Sequence, residues 1–81
     1  MIGSTMIYEL WDTESRNLIG TYDSEAAALA AVAALAERYG TDAIASLMLG
    51  CEDGRGRSRQ LASGADLAAR ARIAGHRGAT A

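Results

Sequence analysis

The spacing that most directly suggests a binding site is that of three arginines at alternate positions, Arg55, Arg57 and Arg59. On a strand, side chains two residues apart share a face, so the three would form a row of phosphate contacts. The Arg-Gly-Arg triplet also resembles the centre of an AT-hook, although the chain has no proline to flank it. The alternative is an exposed hairpin kept soluble by charge, with Glu52 and Asp53 beside the arginines.

The other reactive side chains do not predict an active site. Glu9, Asp12 and Glu14 surround the first turn, where we expect solvated charges, because acid–base work needs an enclosed site that shifts pKa values. His76 lies near the C-terminus with nothing to hold it, and Cys51 is expected to be a quiet, partly buried thiol. The single cysteine and single histidine favour neither a disulfide nor a zinc site. The sequence therefore predicts no enzyme activity, no metal and no cofactor.

Length and charge narrow the class of protein. A chain of 81 residues, 18 of them alanine, predicts one domain with a thin core. The net charge of −2 is the sum of −7 over residues 1–54 (nine acidic, two basic) and +5 over residues 55–81 (one acidic, six basic). Such a split is typical of a basic arm for polyanions, or of two halves that pair with each other.

No targeting or membrane segment is evident in the sequence. The N-terminus lacks a basic start followed by an apolar run, so we see no signal peptide. The longest apolar run, residues 26–36, has 11 residues and is too short to span a bilayer. We therefore expect a cytoplasmic protein that does not enter a membrane.

Residue patterns predict two hairpins around one helix. Alternating segments predict strands at "TMIYELW" and "NLIGTYD", then at "DAIASLMLGC" and "RSRQLA". Between the hairpins, "EAAALAAVAALAERY" predicts a helix capped by Asp23 or Ser24 and stopped by Gly40, with Tyr39 on its core face. The Asp53-Gly54 pair predicts a tight turn with positive φ at Gly54, although loops of two, three or four residues all fit.

The predicted fold class is α+β with the order ββαββα. Its four-stranded antiparallel sheet is built from two hairpins, with the main helix on one face and a short C-terminal helix ending near Gly75. We expect an N-terminal extension over residues 1–5, one domain over residues 6–75 and a disordered tail over residues 76–81.

The predicted sheet is apolar on both faces. By alternation, one face carries Tyr8, Leu10, Leu18 and Tyr22, and the other carries Ile7, Trp11 and Ile19. In the third strand, Ala45, Leu47 and Leu49 face one way and Ile44 and Met48 the other. A sheet with one wet face should be polar there, so either the second helix or another subunit covers the back.

These patterns support two hypotheses for function. Tryptophan is enriched at interface anchors, so the first is a non-enzymatic protein-interaction or regulatory module that contacts a partner through Ile7, Trp11 and Ile19. The partner is expected to be a second copy, in a homodimer, or another protein. The alternative is a nucleic-acid-binding protein that uses Arg55, Arg57 and Arg59.

The segments "YELWDTESRNLIGTYDSEAAAL", "ERYG" and "LGCEDGRGR" resemble a scattered group of short hypothetical proteins from high-GC bacteria, actinobacteria above all. The resemblance covers roughly residues 6–70. The group has no assigned activity, so the resemblance implies no functional residues. It implies the hairpin–helix–hairpin order, with Met6 as a natural start.

Overall fold

The computed structural model describes residues 6–80, and for residues 75–80 it describes the backbone alone. The elements in chain order are β1 (Ile7–Asp12), β2 (Asn17–Tyr22), α1 (Glu25–Tyr39), a 3-10 helix (Thr41–Ser46), β3 (Leu47–Glu52), β4 (Ser58–Ser63) and α2 (Gly64–Thr80). The four strands form one antiparallel sheet in the order β2-β1-β3-β4. The predicted α+β fold and its ββαββα order are confirmed. The predicted extension over residues 1–5 lies outside the described residues.

Helix α1 begins and ends where its capping residues dictate. The Ser24 hydroxyl accepts a hydrogen bond from the Ala27 amide at 3.0 Å, so Ser24, not Asp23, is the N-cap. At the other end Gly40 has φ +91°, and its amide donates to the Ala36 carbonyl at 2.8 Å. Tyr39 was predicted on the core face but is 62% exposed. It is the last helical residue, and the Arg38 guanidinium lies 5.5 Å from its ring centre.

Both helices pack on the same face of the sheet, which we call the inner face. Strand side chains and helix side chains form one buried cluster there: Leu10, Leu47, Leu49 and Ala62 from the strands, Ala28, Leu29 and Val32 from α1, Ile44 from the 3-10 helix, and Leu67 and Ala71 from α2. The molecule is only 17 Å across its shortest dimension, as two layers require. Helix α2 therefore lies beside α1, and within the described residues it does not cover the back of the sheet.

The predicted third strand was too long at its start. Residues Thr41–Ser46 form a 3-10 helix, and β3 begins only at Leu47. Ile44 is therefore buried in the core with Leu47 and Leu49, and the prediction that it shares the opposite face with Met48 was wrong. The Ser46 carbonyl accepts bonds of 2.7 Å from both the amide and the hydroxyl of Thr13, which ties this helix to the first hairpin turn.

The second hairpin turns on Gly56 rather than Gly54. The Gly56 amide donates to the Asp53 carbonyl at 3.1 Å, and the Asp53 amide donates to the Arg57 carbonyl at 2.8 Å. Gly56 then has φ +85°, whereas Gly54 is not in the positive-φ region. Of the three loop lengths that fit the sequence, this is the three-residue loop, with a left-handed third residue, and the prediction of positive φ at Gly54 was wrong.

Helix α2 is longer than predicted. Its backbone is helical to Thr80, beyond the predicted end near Gly75, and the side chains of the predicted tail all lie outside those described. Arg70 links α2 to α1 through Glu25 at 3.6 Å and bonds Asp66 at 3.5 Å in its own helix. These pairs are half-exposed and contribute about 0.5 kcal/mol each. Over the described residues, neither helix has the length and apolar character needed to cross a membrane.

Candidate interaction surface

The back of the sheet, which we call the outer face, has no described helix or loop packed on it. Residues paired across neighbouring strands point to the same side, so the pairing fixes its composition. It carries Ile7, Glu9 and Trp11 from β1, Leu18 and Thr21 from β2, Met48, Gly50 and Glu52 from β3, and Ser58, Gln60 and Ser63 from β4. The row beside the first hairpin turn, Leu18, Trp11 and Met48, is therefore apolar, whereas the middle row, with Glu9 and Gln60, is polar.

Trp11 lies at the centre of the apolar part. It is paired with Leu18 on one side and Met48 on the other, and it is half-buried between them. Its indole N–H donates a long hydrogen bond, 3.5 Å, to Glu9 Oε1. Trp11 is not among the side chains packed against the buried core, so its remaining surface is directed away from both helices.

The three predicted contact residues are all on this side or at its rim. Ile7 is 42% exposed at the end of β1, opposite Glu52. Ile19 is 44% exposed and has no partner in the ladder, since β2 pairs Leu18 with Trp11 and Gly20 with Leu10. Ile19 is thus the extra residue of a β-bulge.

Because of the bulge, the predicted position of Leu18 was wrong. Alternation placed Leu18 with the inner-face residues, but the extra residue after it moves Leu18 to the outer face, where it is 45% exposed. A hint of this was present in the sequence, since two large apolar residues in a row precede Gly20 and interrupt the alternation. Met48, on the other side of Trp11, completes the apolar row.

The charged residues on the outer face are all acidic. Glu9 and Glu52 are half-buried on it, and none of the outer-face side chains from the four strands is basic. Gly50 lies between them on β3, and the Met48 sulfur lies 3.6 Å from the position that a side chain at Gly50 would occupy. The outer face is therefore apolar towards the first hairpin turn and negative towards the second.

Both edge strands carry a bulge. In β2 the extra residue is Ile19, and in β4 it is Leu61, which lies between the paired residues Gln60 and Ala62. Bulges twist an edge and interrupt its free hydrogen-bonding groups, which hinders the addition of another strand. The outer face is thus better suited to a partner than either edge.

The three candidate arginines do not form a row on one strand. Arg55 lies in the turn, Arg57 ends it, and only Arg59 belongs to β4, where it pairs with Cys51 on the inner side. Asp53 Oδ1 accepts the backbone amides of Arg55 at 2.8 Å and Arg57 at 3.0 Å. The arginines are exposed, and no ion pair to them occurs within the described residues.

The other side chains that could do chemistry, Asp12 and Cys51 among them, hold a turn or lie in the core. Asp12 holds the first turn, with Oδ2 accepting from the Ser15 hydroxyl at 2.8 Å and Oδ1 from the Glu14 amide at 3.1 Å. The Ser15 bond, then the Glu14 bond, keep the pKa of Asp12 below its ordinary value. Cys51 is a buried free thiol. Across the described part of the chain, no three His, Cys, Asp or Glu side chains are grouped as metal ligands, and the His76 side chain is outside it.

An open groove of about 620 Å³ lies on the helix side, between α1, α2 and the 3-10 helix. Its walls are mostly alanine, with Glu37, Asp42 and Arg72 among the lining residues. No buried polar side-chain atom in the described residues lacks a hydrogen-bond partner, so no unsatisfied group points into the groove. The groove is a shallow feature of a layer built from small side chains.

Comparison of the chain with protein-family models, with curated proteins and with solved structures found no match.

Proposed function

We propose that this protein is a non-enzymatic protein-interaction or regulatory module that associates with a second copy through the outer face. The observation that carries the proposal is the apolar row at the first-turn end of that face, Trp11 with Leu18 and Met48, over which no described element packs. Ile19 adjoins this row as the bulge residue, whereas the predicted contact residue Ile7 lies beyond Glu9 at the opposite end of the face. The absence of enzyme activity and the cytoplasmic location stay predictions from the sequence.

The free energy gained by covering this face supports the proposal. Ile7, Leu18 and Ile19 each leave more than two fifths of their surface in water. Burying apolar surface is worth about 25 cal/mol per Å², so covering a few hundred Å² yields several kcal/mol before the cost of association. Because both edges are bulged, a second copy gains more by packing on the face than by extending the sheet.

The size of the face predicts a reversible complex. Four strands about 4.8 Å apart and six residues long, at about 3.3 Å per residue, give a face of about 19 by 20 Å. Even at full overlap, two such faces would bury on the order of 800 Å², which is below the roughly 1,000 Å² of most stable interfaces. We therefore expect a dimer that forms at micromolar concentration and exchanges readily.

Sedimentation of paired variants tests this proposal. At about 100 µM the wild-type chain should sediment near twice the monomer mass, and Trp11→Glu should be monomeric because a buried unpaired charge costs several kcal/mol. Ile73→Glu is the matched control, since Ile73 is 62% exposed on α2, on the opposite side of the molecule. A monomeric wild type, or equal dissociation by both variants, would show that the outer face is not the contact.

Nucleic-acid binding is the second candidate, and the arginines without ion pairs at the second hairpin favour it. Three phosphate contacts predict that log affinity for duplex DNA falls with log salt at a slope of about 3. Replacing Arg55, Arg57 and Arg59 with alanine should abolish binding, whereas replacing Arg38, at the far end of α1, should not. Absence of a mobility shift at about 50 mM salt with micromolar protein would exclude this candidate.

A further inference from the structure

The charge on the outer face indicates which partner fits it best. Glu9 and Glu52 are its charged side chains, and the described arginines lie elsewhere: Arg16 in the first turn, Arg38 at the end of α1, Arg55 and Arg57 in the second turn, Arg59 on the inner side of β4, and Arg70 and Arg72 on α2. Within the described residues, the outer-face side chains of the strands therefore include two carboxylates and no cation, and Arg55 and Arg57 of the adjoining turn form no ion pair with them.

A second copy supplies no cation from the strands of its outer face. In a symmetric face-to-face contact each copy presents the same surface, so full overlap places four carboxylates in one interface without a base. Like charges brought together in a partly dry contact repel, and each loses hydration. Two copies can therefore share the apolar part around Trp11, but not the half that holds Glu9 and Glu52.

We propose that the outer face binds a basic amphipathic helix of another protein, whose apolar residues cover Trp11, Leu18 and Met48 and whose arginines meet Glu9 and Glu52. This inference rests on the proposed role of the outer face as a contact surface, and not on self-association. A helix suits the site because the bulged edges hinder strand addition, while a face about 20 Å long matches about 13 helical residues. The inner face of this same sheet is already covered by helices.

The arrangement of Trp11 and Glu9 is suited to a guanidinium group. Glu9 Oε1 lies 3.5 Å from the indole nitrogen, so one cation can stack on the ring while it bonds the carboxylate. Glu52 lies further along the same half of the face, on the neighbouring strand and opposite Ile7. Two arginines about one helical turn apart could therefore be held while leucines occupy the apolar part.

A labelled peptide tests the inference. The probe is an amidated helical peptide of about 16 residues made of Ala, Leu and Arg, with leucines at one end of its apolar stripe and two arginines at the other. Anisotropy of the label reports binding, and emission of Trp11, the only tryptophan, reports its location. We expect saturable binding that weakens at least about tenfold in Glu9→Gln/Glu52→Gln, the loss expected for about 1.4 kcal/mol. Glu37→Gln/Asp42→Gln removes the same charge from the helix side and should bind like the wild type.

Two outcomes would overturn the inference: equal affinity in both double variants, or no saturable binding by the wild type. The same variants also distinguish peptide binding from self-association. Glu9→Gln/Glu52→Gln should associate with itself more tightly than the wild type, because the repulsion is removed. A wild type that stays monomeric but binds the peptide through Glu9 and Glu52 would contradict self-association and leave the inference standing.

Discussion

Asp53 and Gly56 are the two residues that shape the second hairpin. The Asp53 carboxylate accepts two backbone amides of the turn, at 2.8 and 3.0 Å, and so fixes the loop without help from any arginine side chain. Gly56 has φ +85°, a conformation that L-residues adopt at a cost. The turn therefore requires glycine at position 56 but not at position 54.

Replacing each glycine separately tests this assignment. Gly56→Ala should lower the free energy of unfolding by about 1 kcal/mol, because alanine disfavours positive φ. Gly54→Ala, in the same exposed loop, should change it by less than about 0.5 kcal/mol. Urea denaturation measures both. A larger loss at Gly54 would mean that the loop is a two-residue turn, with the arginine positions shifted accordingly.

Asp12 makes the stability of the first hairpin depend on pH. Its pKa is lowered in the folded protein by the Ser15 hydroxyl and the Glu14 amide, so the carboxylate stabilises the fold above its unfolded pKa. That contribution is lost as the pH falls through the lower, folded pKa. We expect the melting temperature to drop on acidification from about pH 5 to pH 2, with a smaller drop in Asp12→Asn and an intermediate one in Ser15→Ala. The same drop in all three proteins would contradict a stabilising role for the Asp12 carboxylate.

At the scale of elements, the sequence predicted the strands from their alternation and α1 from its capping residues, because both signals depend only on residues close together in the chain. They failed where one residue or one tertiary contact decided the outcome. The bulge at Ile19 adds a single residue, which reverses the alternation for Leu18 without changing composition. Ile44 lies in an apolar run that fits a strand or a buried helical turn equally well, and only packing against the core selects the 3-10 helix.

Deletion variants test the role of the bulge in β2. Without Ile19, Leu18 and Gly20 become neighbours and still pair with Trp11 and Leu10, so the strand becomes regular and the fold should survive. Without Thr21, the pairing beyond Gly20 shifts by one residue, and Tyr22 loses its place over Gly20 on the inner face. Circular dichroism and thermal melting should therefore show a folded Ile19 deletion and a much less stable Thr21 deletion.

The regular edge of the Ile19 deletion has a further consequence. An unbroken edge strand exposes a continuous row of backbone donors and acceptors, which promotes strand addition between molecules. The deletion should therefore aggregate faster than the wild type on heating, measured by light scattering at equal protein concentration. If it remained as free of aggregates as the wild type, the bulge would have no protective role.

In the whole molecule, an ion pair connects the acidic residues 1–54 with the basic residues 55–81. Arg70 of α2 bonds Glu25 of α1, which links the two halves across the helix layer. Glu9 and Glu52 belong to the acidic half but face away from α2, so they have no such partner among the described residues. Alternation in the sequence predicted that Ile7 and Trp11 share one face. It could not predict which face the helices cover, because both faces carry apolar residues and the packing of the helices is decided by tertiary contacts.

Self-association of the whole molecule should appear in its thermal stability. A dimer formed only by folded chains stabilises them by mass action, by about 1.4 kcal/mol at a concentration ten times the dissociation constant. For a domain of this size that corresponds to a rise in Tm of about 5–10 °C between about 1 and 100 µM protein. Trp11→Glu should melt at one temperature across this range, whereas Ile73→Glu should keep the concentration dependence of the wild type. A wild-type Tm independent of concentration would contradict the dimer, because no ligand-free monomer stabilises itself by mass action.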